Sequence, residues 1–254
     1  MLQIERLEKI KEYLVKNEYA DIIKLSEILD VSTATVRRAL KQLHNDKIVD
    51  LTRGGASLAK KGNLYEHPYL VKRQMHAEEK RRIANEAVRH IDKNESVFLD
   101  SSSTVYEMTR YLTGFNNITV ATNDLLIAGA LTSSEDITVT VIGGSLRKHY
   151  YTLTGYFSEV IMKDLCFDHA FLGIDTISLK GGLMITNIEE VQIKRKVVKA
   201  ANEVIVLCDH SKFEQDSFLN VCGFEDIDLI ITGKELDPEV HKKYAEAGVN
   251  IRLV

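Results

Sequence analysis

Between residues 33 and 61 the sequence carries seven cationic side chains, Arg37, Arg38, Lys41, Lys47, Arg53, Lys60 and Lys61, against only Asp46 and Asp50. A local excess of five positive charges in so short a stretch suits one chemistry above others, the neutralisation of phosphates with release of their counterions. The chain as a whole is not basic. Residues 1–62 hold 12 Lys and Arg against 9 Asp and Glu, net +3, and the remainder holds 21 against 28, net −7, which together give the overall −4. A small basic module is joined to a larger acidic one.

A second set of reactive side chains lies in the acidic part. Asp100-Ser101-Ser102-Ser103-Thr104 is a run of hydroxyls behind a carboxylate, able to hold a phosphate together with the free N–H groups of a helix start. Thr122-Asn123 follows. Gly143-Gly144 lets a ligand approach the backbone, and Arg147 offers a guanidinium to an anion. Gly173-Ile174-Asp175, then Lys180-Gly181-Gly182, and Asp209-His210-Ser211-Lys212 complete the series. Taken singly, Ser or Thr before a helix is a cap, Gly-Gly is a turn, and Asp209 with Lys212 is a surface pair. Their recurrence after successive β-rich runs is what makes a pocket, and its mix of hydroxyls, carboxylates, Lys and Arg suits a phosphorylated polyol.

The elements that must position the first set are three helices and a hairpin. Ile4, Leu7, Ile10, Tyr13 and Leu14 recur at helical spacing up to about Asn17, and a short helix is centred on Leu25, Ile28 and Leu29. Ser32 is a good N-cap for a third helix reaching about Asn45, with Val36, Leu40 and Leu43 as its inward stripe. Rotation by about 100° per residue then turns Ala34, Arg38, Lys41 and Asn45 outward, flanked by Thr35 and Arg37. Such a face, short-chained at its start and basic beyond, fits a DNA major groove about 12 Å wide. Two strand-like runs, Ile48-Val49 with Leu51 and Ala56-Ser57-Leu58, bracket Thr52-Arg53-Gly54-Gly55, so Arg53 sits on the tip of a basic wing.

Beyond a connector at residues 60–75, which contains Pro68, a helix resumes near His76 with Ile83, Ala84, Ala87, Val88 and Ile91 as its buried stripe. Strand-like runs at 96–99, 118–121, 137–142, 169–172, 204–207, 229–232 and 251–253 then alternate with helical segments near 105–112, 125–131, 157–164, 190–202 and 238–247. That alternation predicts an α/β domain with a mostly parallel sheet covered on both faces, and ligands of such sheets bind outside the C-terminal strand ends.

In these residues the chain resembles the DeoR family of bacterial sugar-metabolism repressors. Arg6 with the Leu7 and Ile10 spacing, Val31-Ser32-Thr33-Ala34-Thr35-Val36-Arg37-Arg38-Ala39-Leu40 and Arg53-Gly54-Gly55-Ala56 look like the family's winged helix-turn-helix. Ala39 and Arg53 stand where the family commonly has an acidic residue and a histidine. Phe98-Leu99-Asp100 with the hydroxyl run, Thr122-Asn123, Ile142-Gly143-Gly144 with Arg147, Ala170-Phe171-Leu172-Gly173-Ile174-Asp175, Glu189-Glu190 through Lys194-Arg195, and Asp209-His210-Ser211-Lys212-Phe213 look like its C-terminal sensor. The resemblance implies a fold similar to ribose-5-phosphate isomerase and CoA-transferases. It implies operator contacts through Thr33, Thr35, Arg37, Arg38, Lys41 and Arg53, and a phosphorylated sugar effector held by the strand-end residues with Glu189, Glu190 and Lys194. The expected organisation is a DNA-binding domain over residues 1–59, a linker over 60–75 and an effector-binding domain over 76–254, in a homo-oligomer, dimer or tetramer.

The rival reading is an isomerase-like enzyme carrying an accessory winged helix, because Asp175, Lys180 and Glu189 or Glu190 resemble the isomerase's acid–base residues in kind and order. An isomerase needs no DNA-binding module, and H-E-x-x-H, G-x-S-x-G, G-x-x-x-x-G-K-[ST] and G-x-G-x-x-G are all absent. The histidines, among them His149, His169 and His210, lack metal-ligand spacing, so no metal or cofactor is expected. Cys166, Cys208 and Cys222 form no C-x-x-C pair and read as reduced thiols. With 44% hydrophobic and 28% charged residues the chain is neither disordered nor fibrous. Its longest apolar runs fall well short of the roughly 20 residues a bilayer requires, which leaves a cytoplasmic protein as the expectation.

Overall fold

The apolar spacing of the N-terminus folds as helix α1 (Gln3–Asn17), which buries Ile10 and Leu14 completely; Ile4, expected in the same stripe, lies in the first turn beyond the core and is exposed. This computed structural model describes residues 2–17, 19–46, 48–59, 64, 66–148 and 150–254. Lys47, Lys60, Lys61, the start of the expected linker and His149 therefore lie outside the described residues. The chain divides into two compact units, Met1–Met75 and His76–Val254.

In the smaller unit, strand β1 (Tyr19–Asp21) precedes α2 (Ile22–Leu29) and α3 (Thr33–Asn45). Asp21 caps α2 by accepting from the N–H groups of Ile23 and Lys24 at 2.7 and 3.2 Å. Asp30, in the left-handed region at φ 50, ends that helix, and the Ser32 hydroxyl accepts from Thr35 N at 3.2 Å to start the next. Leu25 and Leu29 of α2 meet Val36, Ala39, Leu40 and Leu43 of α3 in one core, while Ile28 faces out. Strands β2 (Val49–Leu51) and β3 (Gly55–Leu58) form the wing, and β1 joins them in the order β1-β3-β2, all antiparallel. The close approach of β1 requires Gly55: a Cβ there would lie 1.9 Å from the Ala20 carbonyl oxygen. Within the expected linker, α4 (Tyr69–Gln74) follows Pro68 and buries Val71 against the α1–α3 core. A helix of six residues is too short to display a period in sequence.

The larger unit opens with α5 (Ala77–Ala87) and runs through β4 (Ser96–Leu99), α6 (Thr109–Leu112), β5 (Ile118–Thr122), α7 (Leu125–Leu131), β6 (Ile137–Val141), β7 (Ser145–Leu146), β8 (Leu153–Thr154) and α8 (Tyr156–Ile161). It continues with β9 (Phe167–Leu172), β10 (Thr176–Ser178), β11 (Gly182–Ile185), α9 (Ile188–Ala200), β12 (Ala201–Leu207), β13 (Leu219–Cys222), β14 (Leu229–Thr232), α10 (Pro238–Glu246) and β15 (Ile251–Leu253). Seven of these strands make a wholly parallel sheet in the order β15-β14-β12-β9-β4-β5-β6. Alternate residues divide between two cores. Phe98, Ala170, Val204, Val206 and Ile230 pack with Ile193 and Val197 of α9, whereas Val97, Leu99, Phe171, Ile205 and Ile231 pack with Ile83, Ala84 and Ala87 of α5.

Two small sheets were not foreseen, a β7–β8 hairpin and the antiparallel β10-β11-β13. Runs of two to four residues leave little alternation to detect. They correct one reading: Gly181-Gly182, expected as a ligand loop at a strand end, is the turn between β10 and β11. Gly182 sits there at φ 71, and a Cβ would fall 2.5 Å from the Cys222 carbonyl oxygen. The helix expected over 105–112 is split, Val105–Met108 being a 3₁₀ turn that leads into α6. The three cysteines are free thiols, Cys208 and Cys222 buried and Cys166 exposed. Among the described residues no helix is long and apolar enough to cross a membrane.

Candidate functional site

The smaller unit presents Ala34, Arg37, Arg38, Lys41 and Asn45 exposed along the outer face of α3, with Arg53 exposed at the wing tip. Among the described residues none makes an ion pair or side-chain hydrogen bond with Arg37, Arg38, Lys41 or Arg53, so four cations stand ready for an external anion. Thr33 and Thr35 are half-buried, and the Thr35 hydroxyl lies 2.9 Å from Ser32 Oγ, engaged in the helix cap. The wing is fixed to the helices by backbone and side chain alike. Ile22 N donates to Gly54 O at 2.9 Å, and His44 at the end of α3 bonds through Nδ1 to Val49 O of β2 at 2.8 Å.

In the larger unit the C-terminal ends of β4, β5 and β9 meet in a buried polar cluster. Lys194 on α9 donates to Asp100 Oδ2 and, at 3.0 Å, to the Gly173 carbonyl. Asp100 Oδ2 also accepts from Gly173 N at 2.9 Å. Burial works to lower the Lys194 pKa, but the charges of Asp100, Glu190 and Asp175 overcome it and hold the ammonium above its ordinary value. Gly173 is required by Ser102, whose Oγ would lie 2.2 Å from a Cβ at that position.

Next to this pair, Ser101 Oγ donates to Asp124 Oδ2 at 2.6 Å and lies 2.7 Å from Thr152 Oγ1, while Ser101 N donates to Asn123 Oδ1 at 3.2 Å. Asp124 also caps α7, with Oδ1 accepting from Leu126 N and Ile127 N at 2.7 and 3.0 Å. Burial raises its pKa against these hydrogen bonds. Sequence reasoning missed Asp124 and Thr152. The first carried a signal, as an acidic cap directly after Thr122-Asn123. The second carried none, because it is placed by a β-bridge between Asp124 and Thr152.

The remaining expected residues divide by role. Arg147 Nη1 donates to Glu190 Oε1 at 2.6 Å, and its guanidinium lies 3.7 Å from the Tyr150 ring centroid. Asp175 accepts from Thr186 N at 2.9 Å, and Thr122 Oγ1 donates to Leu99 O at 2.6 Å. Ser103 and Thr104 are buried, and Thr104 N is taken up by Ser102 Oγ at 3.2 Å. Gly143 O accepts from Ser158 Oγ at 2.6 Å, and Gly144 leaves room for Thr154, whose carbonyl oxygen would lie 2.4 Å from a Cβ. Glu189 is exposed in the first turn of α9, and Lys180 is exposed at the β10–β11 turn.

Asp209, at the end of β12, pairs with Lys80 of α5 at 3.7 Å instead of joining Asp100. Its burial would raise its pKa, yet Lys212, Lys80 and His76 together hold the carboxyl far below the usual range. What remains toward solvent around Asp100 is therefore donor-rich. The half-buried Ser101, Ser102 and Arg147 lie beside Asp100, which is paired with Lys194, and Glu190, which is paired with Arg147, a surface of hydroxyls and one guanidinium suited to a polyhydroxylated ligand.

Two family models match the chain. The DeoR-like helix-turn-helix domain matches residues 6–62 and the DeoR C terminal sensor domain matches residues 75–234. The HTH-type transcriptional regulator GolR of Listeria innocua is 31% identical over 253 residues, covering 100% of this chain and 99% of its own. The glycerol-3-phosphate regulon repressor of Escherichia coli is 28% identical over 232 residues, 91% of each chain. Among solved structures, ribose 5-phosphate isomerase A of Methanocaldococcus jannaschii aligns over 53% of each chain with 20% identity and a TM-score of 0.39.

Proposed function

Because this chain belongs to the DeoR family of helix-turn-helix transcriptional regulators, we propose that it represses a carbohydrate-metabolism operon and leaves its operator when a phosphorylated sugar binds the cluster around Asp100. The observation that carries this reading is the set of four cations on α3 and the wing with no partner among the described residues in one unit, with a hydroxyl-rich strand-end cluster built around the buried Lys194–Asp100 pair in the other. Helix α3 enters the major groove with Arg37, Arg38 and Lys41 toward bases and phosphates, and Arg53 reaches sugar-phosphate or the minor groove. A relative named for the glycerol-3-phosphate regulon favours a small phosphorylated polyol as the effector.

Release requires the effector to prefer the DNA-incompetent state, and a coupling of about 1–3 kcal/mol, or roughly 5- to 150-fold, is the usual scale. The working unit is a homo-oligomer, dimer or tetramer, acting on paired half-sites in the cytoplasm. Support for self-association comes from α8, where Tyr156 and Phe157 are 75% and 69% exposed beside Val160 and Ile161. No catalysis is assigned: of the residues an isomerase-like reading would use, Lys180 and Glu189 are exposed, Asp175 accepts from Thr186 N, and Glu190 is paired with Arg147.

The test is a panel of sugar phosphates screened for a rise in Tm of the full chain, followed by the same compounds in an operator mobility shift. A compound that raises Tm and weakens the DNA complex supports the reading. Compounds that tighten the complex make the protein co-repressed, and steady turnover of ribose 5-phosphate that disappears in Glu190→Gln makes it an enzyme.

A further inference from the structure

The end of β12 and the start of α5 bring together three side chains that the regulatory reading does not use. Glu79 is buried, with Oε1 fixed by the His210 N–H at 2.7 Å. Its other oxygen, Oε2, lies 2.8 Å from His210 Nδ1 and 3.9 Å from His76 Nδ1. The imidazole rings stand edge to face with centroids 4.7 Å apart, and one donor atom from each of the three residues can be chosen so that all lie within 4.8 Å of one another. Ligands of a tetrahedral ion with bonds of about 2.0–2.2 Å are separated by roughly 3.3–3.6 Å, so small side-chain movements close the set.

We propose that His76, Glu79 and His210 bind one divalent transition-metal ion. Two further observations bear on the site. His76 is the N-cap of α5 but makes no side-chain cap bond, and it is held in the left-handed region at φ 53, so its ring is committed to the cluster and not to the helix. Asp209, nine-tenths or more buried, has an Oδ2 with no hydrogen-bond partner among the described residues, and it is the strongest opposite charge acting on His76.

The charges around the cluster select the metal. Glu79 and Asp209 are offset by Lys80 and Lys212, so an entering dication finds no surplus of negative charge. An ion held by charge and oxygen alone, such as Mg²⁺ or Ca²⁺, gains little here. An ion that bonds strongly to imidazole, such as Zn²⁺, Co²⁺ or Ni²⁺, gains two nitrogen ligands. On binding, the ion takes the place of the proton shared by Glu79 Oε2 and His210 Nδ1, and the His210 ring carries its hydrogen on Nε2. The carboxylate is already oriented from behind by the His210 N–H.

This inference stands apart from the regulatory reading and is tested without DNA or sugar. Chelator-stripped, untagged full-length protein is titrated with Co²⁺ while its visible absorption is followed. The expected result is saturation at one ion per chain with a tetrahedral or five-coordinate spectrum, displacement by Zn²⁺ and none by Mg²⁺. His76→Ala and His210→Ala should each weaken binding by about tenfold or more, while His241→Ala, on α10, should leave it unchanged. Melts in chelator establish that each variant is folded. Absence of saturable binding, or equal binding in all three variants, overturns the proposal.

Discussion

Lys194 reaches from α9 to Asp100 at the end of β4 and to the carbonyl of Gly173 at the end of β9, so one ammonium joins two neighbouring strand ends beneath the expected effector site. Both partners are almost wholly buried. Removing one leaves the other charged and unmatched, the costly half of a buried pair. Lys194→Met should destabilise the protein by about 3–5 kcal/mol, and Asp100→Leu combined with Lys194→Met should recover most of that loss. Urea melts of the two variants measure it. The double variant being no more stable than the single would reject the argument. Because the folded pKa of Lys194 is raised, its contribution is complete below the ordinary lysine range and is lost as pH climbs through the raised value.

Asp124 predicts a loss of stability with rising pH in a lower, carboxylate window. Its folded pKa lies above the ordinary carboxyl value because it is buried, so its ionisation costs stability as pH rises through the raised value. Asp124→Asn keeps an Oδ1 acceptor for Leu126 N and Ile127 N and removes the charge. It should match or exceed the parent in Tm at pH 7–8 and lose that advantage near pH 4. Asp124→Ala, which also removes the cap, should cost about 1–2 kcal/mol at either pH.

For DNA, Arg37→Ala or Arg38→Ala should weaken operator binding by about 1–3 kcal/mol if that side chain reads a guanine, and should relax the sequence preference. Arg53→Ala should lower affinity for all sequences alike and reduce the slope of log K against log salt by about one unit. Titrations at several salt concentrations separate the two behaviours. Unchanged affinity in both arginine variants of α3 would show that this helix is not the reading element.

Legibility followed the range of the interaction. Helix α3 was readable because its cap, Ser32, and its stripe, Val36, Leu40 and Leu43, are set by local spacing. Strand β1 was not, since its three residues bury only Ala20 and owe their conformation to pairing between Tyr19–Asp21 and the distant Gly55, Ala56 and Ser57. The seven parallel strands were each visible as apolar runs, but their order was not, and order decides which strand ends share a ligand. Asp100 and Asp209 look equivalent in sequence. One is tied to α9 through Lys194, the other to α5 through Lys80. Glu79 and His210 are 131 residues apart and became neighbours only on folding.

The exposed aromatic pair on α8 predicts an association surface. Phe157→Glu should shift the sedimentation profile toward a smaller species without lowering the monomer's own stability, because Phe157 is largely outside the core. An unaltered profile would move the interface elsewhere.

The shared sheet of β1, β3 and β2 has a consequence for control. With one strand of the wing hydrogen-bonded to the segment that launches α2, and the other tied to α3 through His44, the reading helix and wing of the DNA-binding head are held to one another from both sides. Its grip cannot be loosened finger by finger. A metabolite that unseats it must reposition the head as a solid object, so induction should register as altered separation between intact heads and leave the amide protection inside each one unchanged.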